Sequence, residues 1–201
     1  MPTALIESFE DIADASLGPR RKRWTRDEVR SLAEVGTVDL ERLELIDGEL
    51  YNTMSKGLLH MVVLHRMVEL LKAMFGAERV VQEGSIEVSM DERQTNEPEP
   101  DTMVLNRSIE LLTSPPCVDD LCLIVEVADT SLRFDLTTKA PLYARAGIAD
   151  YWVVDAKKKR LIVHRDPRDG RYEAVISYDS AETVMPLAAP GRTFAVGRVF
   201  S

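Results

Sequence analysis

The sequence predicts an α/β fold in which helices flank a mixed central sheet, with additional β-hairpins. Apolar residues recur at helical spacing between Leu58 and Phe75, and Gly76 follows as a helix stop. The run Leu121–Val127 is the most apolar in the chain, and its length and β-branched residues are typical of a strand buried on both faces. A helix and another apolar strand, Tyr151–Val154, follow it. The succession of helix, strands, helix and strand predicts a layered α/β arrangement.

A short helix and a hairpin are predicted before the long helix. Thr25 and Glu28 fit a capping box, in which the threonine caps a backbone N–H and the glutamate returns the contact. Gly36 is expected to end this helix soon after Val35. Asp47-Gly48 stands between two short β-like runs and is a strong signal for a hairpin turn.

Short strands and a polar loop are predicted between the long helix and the apolar strand. Val80-Val81 and Ile86–Val88 have the composition of strands. Residues 91–100 are polar and acidic and contain two prolines, which predicts a loop. Thr102–Leu105 is predicted to be a short strand directly after Pro100-Asp101.

The C-terminal half of the chain is predicted to complete the sheet. A helix is expected over Thr137–Ala146, where Gly147 ends it. Three later segments have strand-like composition, namely Leu161–His164, Tyr172–Tyr178 and Thr193–Val196.

The length of 201 residues suits one domain, or one domain with an arm. We expect a flexible N-terminal arm over residues 1–23, which ends in the basic run Arg20-Arg21-Lys22-Arg23, and a single domain over residues 24–201.

Charge and cysteine content restrict the classes of function. With 25 Lys and Arg against 34 Asp and Glu, the net charge of −9 argues against a nonspecific nucleic-acid coat. An enzyme that contacts nucleic acid at one local site is not excluded. No apolar run approaches the roughly 20 residues of a membrane span, so no membrane partner is expected. The two cysteines are too few for a secreted disulfide scaffold, which favours a reducing cytoplasm.

Two carboxylates and a lysine form a candidate catalytic set. Glu126 lies near the end of the most apolar strand, where an unpaired carboxylate would need a cation, a metal or a proton. Asp101 stands at the edge of another strand. If the two strands are neighbours, the carboxylates converge and either share a proton or bind a divalent cation. Lys139, four residues from both Asp135 and Tyr143, is a candidate counter-charge. Carboxylates, metal and ammonium together suit phosphodiester hydrolysis.

A structural role for the same residues stays open at this point. Carboxylates at strand ends are often structural, and Asp135–Lys139 is also compatible with a surface ion pair worth under about 1 kcal/mol. Asp135 either orients Lys139 or caps the helix. Tyr143 is expected to pack in the core.

Several motifs occur in a characteristic order. They are Glu44-Leu45-Ile46-Asp47-Gly48-Glu49-Leu50, His60, Pro100-Asp101, Leu123–Val127 and the block from Asp135 to Asp155. In these motifs, over about residues 24–180, the chain resembles the Uma-two family of restriction-endonuclease-like bacterial proteins. This family lies within the PD-(D/E)XK nuclease superfamily.

The resemblance implies a restriction-endonuclease-like core, α-β-β-β-α-β, and a metal-dependent DNA endonuclease. Asp101 and Glu126 match the acidic residues that hold Mg²⁺ (or Mn²⁺), with the Val127 carbonyl as a third ligand. The lysine that usually lies two residues after the acid is replaced here by Ala128. Lys139 matches a lysine that the family carries on the following helix.

The resemblance also implies two residues at the border of the site and a set of partners. Glu49 and His60 match polar positions beside the site, where Glu49 would serve a second metal or a water. Duplex DNA is the expected partner. A homodimer is expected because cutting both strands is most simply done with two sites.

Two departures from the family keep other functions open. Asp129 stands where the family commonly has serine, and Pro141 follows Lys139 so closely that the helix either begins near residue 137 or is kinked. A catalytically silent nuclease-like fold that acts as a binding or assembly module is one alternative, and a structural dimer subunit is another. Lys157–Arg160 is either a solvated turn or a contact to the DNA backbone.

Overall fold

The computed structural model describes residues 21–36, 39, 43–52 and 56–201. Residues 1–20 of the expected arm lie outside the described residues. The helices are α1 (Arg26–Glu34), α2 (Leu58–Phe75), α3 (Leu132–Phe134) and α4 (Ala140–Ala146), with a π-helical turn (Asp135–Lys139) joining the last two. The strands are β1 (Leu43–Ile46), β2 (Glu49–Asn52), β3 (Val80–Gln82), β4 (Thr102–Leu105), β5 (Leu121–Ala128), β6 (Asp150–Asp155), β7 (Arg160–Arg168), β8 (Arg171–Tyr178), β9 (Thr183–Val184) and β10 (Phe194–Ala195).

A six-stranded mixed sheet forms the centre of the fold, in the order β3-β4-β5-β6-β7-β8. β5 and β6 are parallel, and every other neighbouring pair in this sheet is antiparallel. The succession α2, β3, β4, β5, α3–α4, β6 reproduces the expected α-β-β-β-α-β core, so the predicted fold class is confirmed. Two smaller antiparallel pairs, β1–β2 and β9–β10, lie outside the sheet.

The two faces of the sheet are covered by different helices because side chains alternate along each strand. Leu123, Val125 and Val127 of β5 pack on the side of α2, with Met67 and Leu71 among their neighbours. The alternate residues of β5 point the other way. They include Ile124, which shares a buried cluster with Tyr143 of α4 and Tyr151 of β6. Glu126, between Val125 and Val127, therefore faces α4 and the π-helical turn.

The local signals before α2 are confirmed. The side chain of Thr25 accepts from the backbone N–H of Glu28, and the Glu28 side chain accepts from that of Thr25, so the capping box is complete. Asp47 and Gly48 turn β1 into β2 with φ angles of 50° and 74°. Two successive residues in the left-handed region match the right-handed twist of the strands that they join.

Three predicted elements differ from the structure. Ile86–Val88 is not a strand and makes only a single parallel bridge, between Glu87 and Cys117. The acceptors of Ile86 N–H and Glu87 N–H are the carbonyls of Pro98 and Pro116, and a proline has no N–H with which to continue a ladder. The last predicted strand shortens to β10, because the chain enters a 3₁₀ turn at Val196.

The helix expected over Thr137–Ala146 begins earlier, at Leu132, and contains the π-helical turn. Proline lacks the N–H of an α-helical hydrogen bond, and its ring clashes with the carbonyl four residues earlier. The wider turn directly before Pro141 relieves this conflict without ending the helix.

Among the described residues, no helix combines the length and the apolar character needed to cross a bilayer.

Candidate active site

Asp101 and Glu126 meet at one edge of the sheet. β4 runs antiparallel to β5 with Thr102 opposite Val125, so the residue before β4 lies beside Glu126. The backbone N–H of Asp101 donates to Glu126 Oε2 (3.3 Å), and that of Val127 donates to Asp101 Oδ2 (2.8 Å). The convergence expected from the sequence is present.

Lys139 projects from the π-helical turn onto Glu126. Its Nζ lies 2.8 Å from Glu126 Oε1 and 3.0 Å from Glu44 Oε2, and only 4% of the side chain is exposed. The hydroxyl of Tyr143, one helical turn later, donates to Glu126 Oε1 (3.2 Å). Tyr143 is buried, as predicted, and it also contacts the site. Asp135, at the start of the same turn, accepts from the hydroxyl of Ser131 (2.6 Å).

Two basic side chains hold Asp101 from the other side. His60 Nε2 lies 3.0 Å from Asp101 Oδ2, and Lys56 Nζ lies 3.0 Å from Asp101 Oδ1 and 2.7 Å from Glu83 Oε1. Burial alone would raise the pKa of Asp101. The hydrogen bond and charge of His60, the charge of Lys56 and the N–H of Val127 outweigh burial and lower the pKa to about 2.

The carboxylates around Lys139 outnumber it. Burial raises the pKa of Glu126 well above its usual value, against the charge of Lys139, and Asp101, Asp135 and Glu44 add to the rise. Burial likewise raises the pKa of Asp135 to about 6. Burial of Lys139 lowers its pKa, but the attraction of Glu126, Glu44 and Asp135 is larger and raises it, so the ammonium is retained. Four carboxyl groups, those of Glu44, Asp101, Glu126 and Asp135, thus crowd around one buried ammonium, and the raised pKa values show that the cluster favours a proton or a further cation.

An open cavity of about 950 Å³ gives access to these groups. Carboxylates predominate over ammonium groups in its wall, which contains Glu44, Glu83, Glu99, Asp101, Glu126, Asp129 and Asp135 together with Lys56 and Lys139. His60 and Val127 also line it. The cavity thus has the strong negative field that attracts a cation.

Glu44 rather than Glu49 is the hairpin carboxylate that reaches the cavity. Glu49 is half-exposed at the start of β2, where it accepts from the hydroxyl of Tyr51 (2.9 Å) and lies 3.5 Å from Arg21. Glu44 is buried in β1 beside Lys139. The same signal that identified Glu126, a carboxylate between apolar strand residues, is present at Glu44 between Leu43 and Leu45.

The donor set of the site fits a hard divalent cation. Among the described residues, no three side chains of His, Cys, Asp or Glu form a ready-made metal cage. Mg²⁺ is usually held by one or two carboxylates, with waters and substrate phosphates completing its shell. The adjacent carboxylates of Asp101 and Glu126 and the excess negative charge around them meet that requirement.

Comparisons with known proteins agree with this fold. None of the curated proteins compared matches the chain. A crystal structure described as a "putative nuclease belonging to DUF820", from Anabaena variabilis, superposes with a TM-score of 0.64. The alignment covers 88% of this chain and 97% of that chain at 15% sequence identity, which shows a shared fold. The model of the Uma2 family, described as "Putative restriction endonuclease", matches residues 28–197. Because this match spans well over half of its length, the chain belongs to the Uma2 family.

Proposed function

We propose that the protein is a divalent-metal-dependent endonuclease that hydrolyses phosphodiester bonds of duplex DNA. The observation that carries the proposal is the meeting of the Asp101 and Glu126 carboxylates beside the Lys139 ammonium in the wall of an open cavity. Family membership supports a hydrolase that acts on nucleic acids. The finer assignment rests on the chemistry of the side chains.

In this proposal Asp101 and Glu126 hold Mg²⁺ or Mn²⁺ with the Val127 carbonyl. When bound, such an ion polarises a phosphoryl oxygen and lowers the pKa of a coordinated water. Lys139 orients the attacking water or stabilises the charge that develops on the phosphate. Its ammonium lies 2.8 Å from Glu126 Oε1, close to the carboxylate that would hold the metal ion.

Two other side chains act through these residues. His60, 3.0 Å from Asp101, fixes the orientation of that carboxylate. Glu44, 3.0 Å from the ammonium of Lys139, helps to hold it in place. Glu49 is half-exposed outside the cavity wall, so a direct role for it in catalysis receives no support from its position.

The quaternary structure and location belong to the proposal as well. Two sites in a homodimer would cut both strands of a duplex most simply. Sedimentation of the protein with and without DNA tests the dimer. A cytoplasmic location stays a prediction.

The central experiment is cleavage of supercoiled plasmid DNA with Mg²⁺, Mn²⁺ or EDTA. We expect nicking or linearisation only with a divalent ion, and loss of cleavage in Glu126→Gln and Lys139→Met. Glu69→Gln is the matched control, because Glu69 is an exposed carboxylate on α2 paired with Lys72. Absence of cleavage with both metals, across salt concentrations and DNA sequences, would count against the function. If cleavage survives in both site variants, the assignment of the residues is wrong.

A catalytically silent module is the second candidate function. The observation that favours it is Asp129, which lines the cavity and adds negative charge beside the proposed metal site. Such a module would neither bind a divalent metal nor cleave DNA. A direct metal titration therefore distinguishes the two candidates, because only the endonuclease should bind Mn²⁺.

A further inference from the structure

Asp129 in the cavity wall pairs with Lys157 and packs against the backbone next to Lys56. Lys157 Nζ lies 3.3 Å from Asp129 Oδ1. On the other side, a Cβ added to Gly57 would lie 3.4 Å from Asp129 Oδ2, so the backbone next to Lys56 packs against the same carboxylate. Lys56, Gly57 and Asp129 all line the cavity. Asp129 therefore pairs with one cation, Lys157, and borders the segment that carries a second, Lys56, whose ammonium pairs with Glu83 and Asp101.

Both lysine side chains reach solvent, Lys157 more than Lys56. The side chain of Lys157 is 60% exposed and that of Lys56 is 37% exposed. Their partners, Asp129 for Lys157 and Glu83 and Asp101 for Lys56, all belong to the cavity wall. The pair of Lys157 with Asp129 is the more exposed of the two sets and contributes little to stability, so a phosphate group can readily replace that carboxylate.

The turn that carries Lys157 exposes three consecutive lysines to solvent. Lys157, Lys158 and Lys159 are all exposed between β6 and β7, and β6 ends beside β5 at the edge where the cavity lies. Lys159 has φ of 51°, a left-handed conformation that is unfavourable for a residue with a side chain. Asp155 fixes the turn, because its carboxylate accepts from Lys158 N–H (3.0 Å) and from Arg160 Nε (2.9 Å). Lysine thus occupies a position that glycine or asparagine would fill with less strain.

We propose that Lys56 and Lys157 bind backbone phosphates of the nucleic acid, and that the carboxylates of Asp101, Glu83 and Asp129 in the cavity wall hold these two ammonium groups when no substrate is present. This inference rests on the proposed function and names the groups that recognise its substrate. It also gives Asp129 a role, since this carboxylate competes with a phosphate for Lys157.

Because the net charge of the protein is −9, the two lysine contacts should have a measurable effect on DNA affinity. The protein as a whole repels a polyanion, so attraction to DNA must come from local cations. Each lysine that neutralises one phosphate releases condensed counterions. The slope of log K against log salt concentration therefore changes by about 0.9 for each contact with a duplex.

The test is equilibrium binding of the full chain to a fluorescent 20-base-pair DNA duplex, by anisotropy, across a range of KCl concentrations. Ca²⁺ is present as a hard divalent ion that takes oxygen ligands. We expect Lys56→Gln and Lys157→Gln each to weaken binding several-fold and to reduce the magnitude of the salt slope by about 0.9. Asp129→Ser is expected to tighten binding. Lys72→Gln is the control, because it removes the same charge near the far end of α2, where Lys72 pairs with Glu69. Thermal unfolding verifies that each variant is folded.

The outcomes separate this inference from the function on which it rests. If the unsubstituted protein binds and cleaves DNA but both lysine variants keep its salt slope, the phosphate contacts are wrong and the endonuclease proposal stands. If Lys72→Gln changes the slope as much as Lys157→Gln, the effect is one of overall charge and the inference also fails. If the unsubstituted protein neither binds nor cleaves the duplex, both proposals fail.

Discussion

The ammonium of Lys139 lies 2.8 Å from Glu126 Oε1, and each of the two side chains is only 4% exposed. Glu44 lies 3.0 Å from the same ammonium. Taking such ions out of water costs several kcal/mol each, and the cost is offset only while every partner is present. The proposed catalytic lysine is therefore also a structural residue, and its loss should affect stability as well as activity.

We predict that Lys139→Met lowers the free energy of unfolding by about 3–5 kcal/mol, because Glu126 and Glu44 stay buried without their counter-charge. Glu126→Gln should cost less, since Lys139 keeps Glu44 as a partner. Urea unfolding followed by circular dichroism measures both changes.

The double variant Lys139→Met/Glu126→Gln is the internal control of this prediction. Lys139→Met leaves two carboxylates, Glu126 and Glu44, without a counter-charge, and the double variant neutralises one of them. It should therefore be more stable than the sum of the two single effects predicts. Additive effects of the two substitutions would show that the pair is not coupled.

We predict that Mn²⁺ stabilises the folded protein through Asp101. A ligand that binds only the folded state adds about 2.7 kcal/mol at a hundred-fold excess over its dissociation constant. Asp101→Asn should abolish this stabilisation, because a neutral amide replaces one of the two proposed carboxylate ligands. Thermal unfolding with and without Mn²⁺ measures the effect, with Glu69→Gln as the control. A protein that Mn²⁺ does not stabilise would favour the silent module.

Local sequence signals predicted most of the fold, because they depend on neighbouring residues. The capping box at Thr25 and the apolar strand β5 are examples of such signals. The conformation of the irregular segments depends on hydrogen bonds with residues that are distant in the sequence. Ile86–Val88 fails as a strand because Pro98 and Pro116 face it. The true start of the helix at Leu132 has no capping side chain, since Ser131 makes no cap hydrogen bond.

Sequence patterns identified Asp101, Glu126 and Lys139, and the family resemblance identified His60, but neither identified Lys56 or Glu44. Asp101 and Glu126 are carboxylates at the ends of strands, and burial makes such residues conspicuous. Lys56 lies in a polar stretch, and only the packing of the chain brings it within 3.0 Å of Asp101. Glu44 has the same signal as Glu126, a carboxylate between apolar strand residues, whereas the family resemblance pointed to Glu49.

We predict that the protein binds duplex DNA weakly when no divalent ion is present. The net charge of −9 and the many carboxylates of the cavity repel phosphates, and a bound divalent cation offsets part of this charge. Anisotropy titrations in EDTA and in Ca²⁺ measure the difference, and affinity should rise several-fold with the ion. Tight binding to a duplex in EDTA would overturn this account of the charge.

His164 lies in the interior, away from the proposed metal ligands. It stands on β7 opposite Tyr151 of β6, and its ring lies 5.2 Å from the ring of Tyr151 and 5.5 Å from that of Tyr172. Burial lowers the pKa of His164 below its ordinary value of 6.5, although hydrogen bonds with the backbone of Tyr151 and Ile162 oppose the shift. The folded state therefore favours the neutral imidazole.

We predict that this histidine makes the protein less stable in mild acid. Below about pH 6.5 the unfolded chain binds a proton at His164 that the folded chain does not, so the free energy of unfolding falls with pH by at most about 1.4 kcal/mol per unit. His164→Phe keeps an aromatic ring between the two tyrosines and removes this proton. The stability of the unsubstituted protein relative to His164→Phe should stay constant above about pH 7 and decline below about pH 6.5, measured by urea unfolding. A constant difference between the unsubstituted protein and His164→Phe across the whole range would show that His164 does not titrate as its burial requires.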